Sequence, residues 1–60
     1  MLPKIPIVLL SVVNTKLRDN YASLDELCDD LDEEKEEIIK ILKTINYYYD
    51  EKLNQFKSEE

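Results

Sequence analysis

The apolar residues of the N-terminal third of the chain predict one helix over residues 6–19. Pro6 suits the first position of this helix, because its missing backbone N–H costs nothing there. Lys16 and Arg18 fall in the predicted last turn, where cations interact favourably with the helix dipole. The boundaries of the first helix are therefore set by local signals at both ends.

This first helix carries more apolar surface than a helix on a small core needs. Six of its seven apolar side chains cover an arc of roughly 200° on a helical wheel, with Ile7 outside it, whereas a surface helix usually shows a stripe little over 100° wide. Two explanations are open. Either the C-terminal part of the chain and the N-terminal tail cover the excess, or a second copy of the chain packs on it through Leu9 and Val12.

Two further helices are predicted over residues 24–31 and 33–45, joined by a tight turn. Ser23 and Glu26 form the S-x-x-E pattern of a capping box before the second helix. Asp32 stands where its side chain would cap the third helix. Each helix has one apolar face, and the residues assigned to the core are Leu24, Leu27, Cys28, Leu31, Ile38, Ile39, Ile41, Leu42 and Ile45.

After the third helix the apolar pattern changes to a period of two, which predicts a β-hairpin over residues 47–57. Tyr47 and Tyr49 share one face of this hairpin, and Tyr48 takes the other face. Phe56 is expected to pack with Tyr47 or Tyr49 against the third helix, because a hairpin this short is not stable alone.

The order of these elements predicts a single domain over residues 1–60. It is mainly helical, with a three-helix helix-turn-helix core and a C-terminal two-stranded wing, which is the outline of a minimal winged helix. The chain contains no glycine, so left-handed backbone positions fall largely to asparagine. The asparagines that stand where the chain should turn are Asn20, Asn46 and Asn54.

Charge changes this picture, because it is distributed unevenly. The net charge is −6, with +2 on residues 1–24, −8 on residues 25–37 and zero on residues 38–60. An acidic protein is repelled by nucleic acid and by anionic membrane surfaces. In a winged-helix complex the start of the third helix would enter the major groove of DNA. The residues at that start are acidic, namely Glu33, Glu34, Glu36 and Glu37.

No pattern of catalytic or metal-binding residues occurs in the sequence. The chain has no histidine, no glycine and one cysteine, which leaves zinc without its preferred ligands and excludes Gly-rich phosphate loops. Cys28 has acidic neighbours that raise rather than lower its pKa, so a role in the core is expected. We predict no enzymatic activity, no cofactor, no metal and no small-molecule substrate.

The apolar run at residues 5–13 does not have the pattern of a targeting segment. Pro6 interrupts the run, and no small-residue cleavage site follows it. The run is also too short to span a bilayer. A cytoplasmic protein with a reduced Cys28 and no membrane contact is the expectation.

Several strings of residues resemble a known family over nearly the whole chain. They are VNTKLRD at residues 13–19, LDELC at residues 24–28, YxYD at residues 47–50 and NQF at residues 54–56. Together they resemble a family of small bacterial proteins known as domain of unknown function forty-two fifty. The resemblance implies no activity. Members of that family often have an aspartate before the proline of the first helix, where this chain has Ile5.

Protein–protein contact, including self-association through the first helix, is the function that these observations favour. The alternative is a nucleic-acid-binding transcriptional regulator that works through Lys16 and Arg18. A third class is an acidic mimic that occupies a basic partner. The candidate interaction residues are Leu9, Val12, Asn14, Thr15, Lys16, Arg18, Tyr21 and Tyr48.

Overall fold

The computed structural model describes residues 2–59 and contains three helices followed by a hairpin. The elements are α1 (Pro6–Asp19), α2 (Leu24–Leu31), α3 (Lys35–Lys43), β1 (Tyr47–Asp50) and β2 (Gln55–Ser58). The prediction of a mainly helical fold with a small C-terminal hairpin is confirmed. No helix in the described part of the chain is long and apolar enough to cross a membrane.

α1 begins and ends at the predicted residues, with Pro6 in its first turn. Ile5 precedes it in an extended conformation, and its side chain provides no capping hydrogen bond. Asn20 was expected to be left-handed, but its φ is −126°, so that prediction is wrong. The Asn20 N–H makes an ordinary helical bond to the Lys16 carbonyl at 2.8 Å, and the Tyr21 N–H shares this acceptor at 3.1 Å. The helix therefore ends without a left-handed residue.

The turn between α2 and α3 differs from the prediction at Asp32. Ser23 caps α2 as expected, since its hydroxyl accepts from the Glu26 N–H at 3.1 Å. Asp32, however, ends α2 in the left-handed conformation with a φ of 55°, and does not cap α3. The Glu33 N–H reaches back to the Cys28 carbonyl at 2.9 Å, as in a Schellman motif. This turn delays the start of α3 to Lys35, two residues later than predicted.

The end of α3 is also earlier than predicted. Thr44, Ile45 and Asn46 each donate to the carbonyl three residues before them, at 3.1, 3.2 and 3.0 Å. This tighter bonding replaces the last α-helical turn that the pattern indicated. Asn46 then takes a left-handed conformation with a φ of 62°, and Asn54 takes one with a φ of 54°, as predicted for both.

The hairpin packs on the helices through its inner face. β1 and β2 are antiparallel, with Tyr49 opposite Phe56. The rings of these two residues lie 5.5 Å apart between centroids, and Phe56 is buried, which confirms its predicted packing with Tyr49. The strand of Phe56 lies against α1, however, and not against α3 as predicted. The buried core, which includes the predicted Cys28, consists of Leu9, Val13, Leu17, Leu24, Leu27, Cys28, Ile38, Leu42 and Phe56.

Candidate interaction surfaces

Asn14 holds the second strand against the first helix. Its Nδ2 donates to the Phe56 carbonyl at 3.1 Å, and its Oδ1 accepts from the Phe56 N–H at 2.8 Å. These are the two bonds that a neighbouring strand would make with Phe56. The Gln55 amide adds a third bond, from Nε2 to the Asn14 carbonyl at 3.0 Å. The polar atoms of Asn14, a candidate for partner binding, are thus used within the fold.

Asn54 connects the turn of the hairpin to the ends of two helices. Its Nδ2 donates to the carbonyls of Leu17 and Tyr21, at 3.1 and 2.9 Å. Its Oδ1 accepts from the Tyr49 hydroxyl at 2.6 Å. The same hydroxyl accepts from the Leu24 N–H at 3.2 Å, at the start of α2. One network therefore fixes the hairpin on α1 and α2.

The strings that carry the family resemblance meet in this network. Asn14 belongs to the string at residues 13–19, and Asn54 belongs to the string at residues 54–56. Tyr49 belongs to the string at residues 47–50. Their hydrogen bonds within the fold explain why these residue types occur at these positions, without a binding partner.

The polar residues at the C-terminal end of α1 lie at the surface, but they are only partly available. Thr15 and Arg18 are exposed, and Lys16 is half-buried. The Arg18 guanidinium contacts both carboxylate oxygens of Asp19, at 2.9 and 3.0 Å. This hydrogen-bonded pair raises the pKa of Arg18 and lowers the pKa of Asp19. The basic cluster predicted from Lys16 and Arg18 is therefore partly neutralised by the chain itself.

Tyr21 joins the loop after α1 to the second helix. Its hydroxyl donates to the Asp30 carboxylate at 2.5 Å. That hydrogen bond is the main reason why the pKa of the Tyr21 hydroxyl is raised above its usual value. Tyr21 is half-buried, and its hydroxyl is already bonded within the chain.

Leu9 requires a correction to the predicted surface of α1. Only 1% of its area is exposed, so its side chain belongs to the core and not to an accessible seam. The first helix turns the side that carries Leu9, Val13 and Leu17 toward the rest of the chain. A contact with a second copy has to use another side of α1.

Accessible apolar side chains lie at the beginning of α1 and at Ile5, the residue just before it. Ile5 is 65% exposed, Val8 is 45% exposed and Val12 is half-buried. Val8 and Val12 are four residues apart and therefore lie on one side of α1, next to the buried side, and Ile5 precedes Val8 by three residues at the N-cap. We call Ile5, Val8 and Val12 the α1 stripe. Ile7 is 68% exposed, but it points to a different side of the same turn.

A groove of about 410 Å³ lies between α3 and the first strand. Tyr48, which was a candidate for partner binding, is 44% exposed beside it. We call it the α3–β1 groove, and its lining residues are Lys35, Ile39, Lys43, Tyr47, Tyr48, Tyr49, Glu51 and Glu59. Successive residues of a strand point to opposite faces, so a groove lined by three consecutive tyrosines follows the edge of β1 rather than one face.

The acidic stretch at residues 25–37 is solvated and partly paired. Glu37 contacts Lys4 at 2.6 Å, and Asp25 contacts Lys35 at 2.9 Å. The Glu33 carboxylate accepts from the Leu2 N–H at 3.2 Å, which holds the N-terminal tail near α3. Among residues 2–59, no three cysteine or carboxylate side chains come together as ligands for a metal ion.

The structure separates the candidate residues into several places. Val12 lies on the α1 stripe, Asn14 lies in the network, and Tyr48 lies at the groove. Neither the exposed Ile5 nor the α3–β1 groove was predicted from the sequence. Lys35, Ile39 and Lys43 are spaced by four residues, which indicates that they share one face of a helix. This spacing does not indicate that a strand lies beside that face.

Comparison with known proteins gives one similarity. The model of a family described as "Domain of unknown function (DUF4250)" matches residues 3–56. No curated protein and no solved structure matches the chain. The match covers α1, α2, α3 and β1 completely and ends within β2 at Phe56.

Proposed function

The chain belongs to the DUF4250 family, and we propose that it is a non-catalytic protein–protein interaction module that self-associates through the α1 stripe. The observation that carries this proposal is the exposure of Ile5 and Val8, at 65% and 45%, in line with the half-buried Val12. Removal of such apolar side chains from water by a second surface lowers the free energy of the system and so favours association.

A second copy of the same stripe is the occupant that we propose. No charged residue interrupts the sequence between Ile5 and Val12, so a two-fold contact sets apolar side chains against each other. Lys4 lies just before the stripe, and its ammonium is paired with Glu37 at 2.6 Å. That end therefore presents a neutralised pair rather than a bare cation to the other copy.

The contact is expected to be weak. Residues 5–12 span only about 10 Å of helix at a rise of about 1.5 Å per residue. Interfaces below about 1,200 Å² are typical of weak or transient complexes. We therefore expect a monomer–dimer equilibrium that depends on protein concentration, and not a permanent dimer.

Sedimentation equilibrium over a range of concentrations tests this proposal. The mass should rise above that of one chain as the concentration approaches about 1 mM, where an association free energy of about 4 kcal/mol suffices for half-occupancy. Val8→Lys should restore a monomer, because it places a cation in the stripe at a position that is already 45% exposed. Ile7→Lys is the matched control, since Ile7 lies in the same turn but off the stripe.

A strict monomer at all concentrations would contradict self-association. Equal loss of association in Val8→Lys and Ile7→Lys would contradict the assignment to the α1 stripe. Leu9→Lys should unfold the chain instead, because Leu9 is a core residue.

Nucleic-acid binding remains the second candidate function. The order of three helices and a hairpin favours it, since winged-helix proteins that bind DNA share that order. The acidic first turn of α3 and the pairing of Arg18 with Asp19 weigh against it. A gel shift with mixed-sequence DNA at low salt distinguishes the two. Tight binding that weakens steeply with salt, and that is lost in Lys16→Glu, would place this function first.

We also propose a cytoplasmic location. The single cysteine, Cys28, is buried and unpaired, and a fold of this kind needs no oxidising compartment. Fractionation of cells that produce the protein at native levels tests this, and recovery outside the cytoplasm would overturn it.

A further inference from the structure

We propose that the free edge of β1 accepts an extended segment of a partner protein, which lies in the α3–β1 groove. The segment carries an apolar residue against Ile39 and an acidic residue against Lys43. This site is separate from the α1 stripe, so it does not depend on self-association. The proposal rests on the hydrogen-bond register of the hairpin, on the lining of the groove and on its charges.

The register shows which backbone groups point outward. The Glu59 N–H donates to the Asn46 carbonyl at 2.9 Å, so these residues form a hydrogen-bonded pair just beyond the strands. Hydrogen-bonded and non-hydrogen-bonded pairs alternate along an antiparallel ladder. The pair of Tyr48 and Lys57 is then hydrogen-bonded. It follows that the N–H and C=O groups of Tyr47 and Tyr49 point away from β2.

The two edges of the hairpin therefore differ in the hydrogen bonding of their outward backbone groups. On the β2 edge, Asn14 satisfies both outward groups of Phe56. On the β1 edge, no group within residues 2–59 bonds the outward N–H and C=O of Tyr47 and Tyr49. An unpaired edge of this kind is a template for one more strand, and extended peptides use such edges in several recognition domains.

The spacing of side chains along the α3 wall of the groove is close to the spacing of side chains along an added strand. Lys35, Ile39 and Lys43 follow one another every four residues along α3, which is a step of about 6 Å. Side chains on one face of a strand repeat every two residues, at about 6.6 Å. Consecutive inward side chains of an extended segment would therefore meet these three residues one by one, with the central one against Ile39.

Charge distinguishes the two ends of the groove. The Lys35 ammonium is paired with Asp25 at 2.9 Å, and Glu51 also lies near enough to raise the pKa of Lys35. Lys43 makes no ion pair in the part of the chain that the structure describes, and Glu59, which also lines the groove, does not pair with it. The unpaired cation at the Lys43 end therefore favours an acidic side chain two residues from the apolar one.

A second copy fits this edge less well than a single extended segment. Each copy carries its own α3 along the groove beside its own β1. A two-fold pairing of two β1 edges would bring two α3 helices together on their lysine-bearing sides, and like charges in contact are unfavourable. A partner segment without a helix beneath it avoids this conflict.

An NMR titration tests the proposal on the full chain. The probes are two capped heptapeptides of alternating valine and threonine, with one glutamate two residues before or two residues after the central valine. One of the two should shift the backbone amide signals of Tyr47 and Tyr49 and slow their exchange with solvent. The monomeric variant Val8→Lys should bind the same peptide, so this result and the test of the α1 stripe are independent.

Charge reversal at the wall gives a matched pair of variants. Lys43→Glu should weaken binding of the glutamate peptide about five- to tenfold, which is about 1 kcal/mol. Lys40→Glu is the control, because Lys40 is exposed on α3 but does not line this groove. It should change the affinity by less than about twofold. A peptide with lysine in place of glutamate should prefer the Lys43→Glu variant.

Four results would overturn the proposal. They are amide shifts confined to other elements, no shift at all with either peptide, equal weakening in Lys43→Glu and Lys40→Glu, and shifts of Tyr47 and Tyr49 on simple dilution. The last result would assign the edge to a second copy of the chain.

Discussion

Asn14 and Phe56 form a strand-like pair between a helix and a sheet edge. The side chain of Asn14 makes both hydrogen bonds that the outward backbone groups of Phe56 can form, at 3.1 and 2.8 Å. The two residues are separated by 42 positions in the chain. α1 thus takes the place of a third strand beside β2, and only the β1 edge of the hairpin is left open within the described residues.

Replacement of Asn14 tests this role. Asn14→Ala should lower the free energy of unfolding by about 1–2 kcal/mol. Two hydrogen bonds worth about 1 kcal/mol each are lost, and the higher helix propensity of alanine offsets a small part of this loss. Urea unfolding followed by circular dichroism measures the change. Thr15→Ala is the control, since Thr15 is exposed in the same helix, and its effect should stay within about 0.5 kcal/mol. Equal stability of the two variants would contradict the structural role.

The two left-handed asparagines should respond differently to glycine. Asn54→Gly keeps the positive φ but removes the side-chain bonds to Leu17, Tyr21 and Tyr49, so it should cost about 2 kcal/mol. Asn46→Gly also keeps a positive φ, and no side-chain hydrogen bond of Asn46 is formed within residues 2–59. Its effect should be a few tenths of a kcal/mol. Thermal unfolding of both variants compares them, and equal costs would show that the network contributes nothing.

The uncapped start of α1 offers a stabilising substitution. Ile5 is extended and provides no capping bond, so Ile5→Asp should add about 1 kcal/mol through a cap and a favourable dipole contact. In a domain of this size that is a rise of about 4–8 °C in Tm. Ile5→Ala removes the same side chain without a cap. Both variants should weaken self-association, but only Ile5→Asp should raise Tm, and equal Tm values would refute the cap.

The buried thiol of Cys28 predicts a dependence of stability on alkaline pH. Burial, and next the nearby Asp25, raise the pKa of this thiol above its ordinary value of 9.0. The folded state therefore favours the protonated thiol. This contribution to stability is complete below pH 9.0 and is lost as the pH rises through the raised pKa of the folded state.

The comparison of wild type with Cys28→Ala isolates that contribution from other groups that titrate at high pH. The stability advantage of the wild type in urea unfolding should shrink above pH 9.0. An advantage that stays constant or grows over the same range would show that the thiol ionises in the folded state without penalty.

The parts of the fold that were predictable from the sequence depend on local signals. Pro6 fixes the start of α1, and the Ser23 hydroxyl fixes the start of α2 through its bond to the Glu26 N–H. The change to a period of two at the tyrosines indicated β1. The role of Asp32 was predicted wrongly, because aspartate suits both a helix cap and a left-handed turn, and the sequence alone does not distinguish the two.

The candidate surfaces were less predictable for a different reason. An apolar helix does not reveal which of its sides faces the core, so Leu9 and Val8 could not be told apart before the helices were packed. Asn14 was expected at a partner surface because its bond to Phe56 joins positions that only the folded chain brings together. The open edge of β1 likewise could not be predicted, because the bonds that cover the opposite edge, between Asn14 and Phe56, form only in the folded chain.

Contacts between two copies of α1 can be observed directly in a mixed NMR sample. Equal amounts of ¹³C-labelled and unlabelled protein at high concentration are combined, and only NOEs between different chains are recorded. Cross-chain NOEs that join the methyl groups of Val8 and Val12 to α1 of the other copy are predicted, and they should vanish in Val8→Lys. Cross-chain NOEs confined to the hairpin or α3, or none at a concentration where the mass exceeds one chain, would contradict self-association through the α1 stripe.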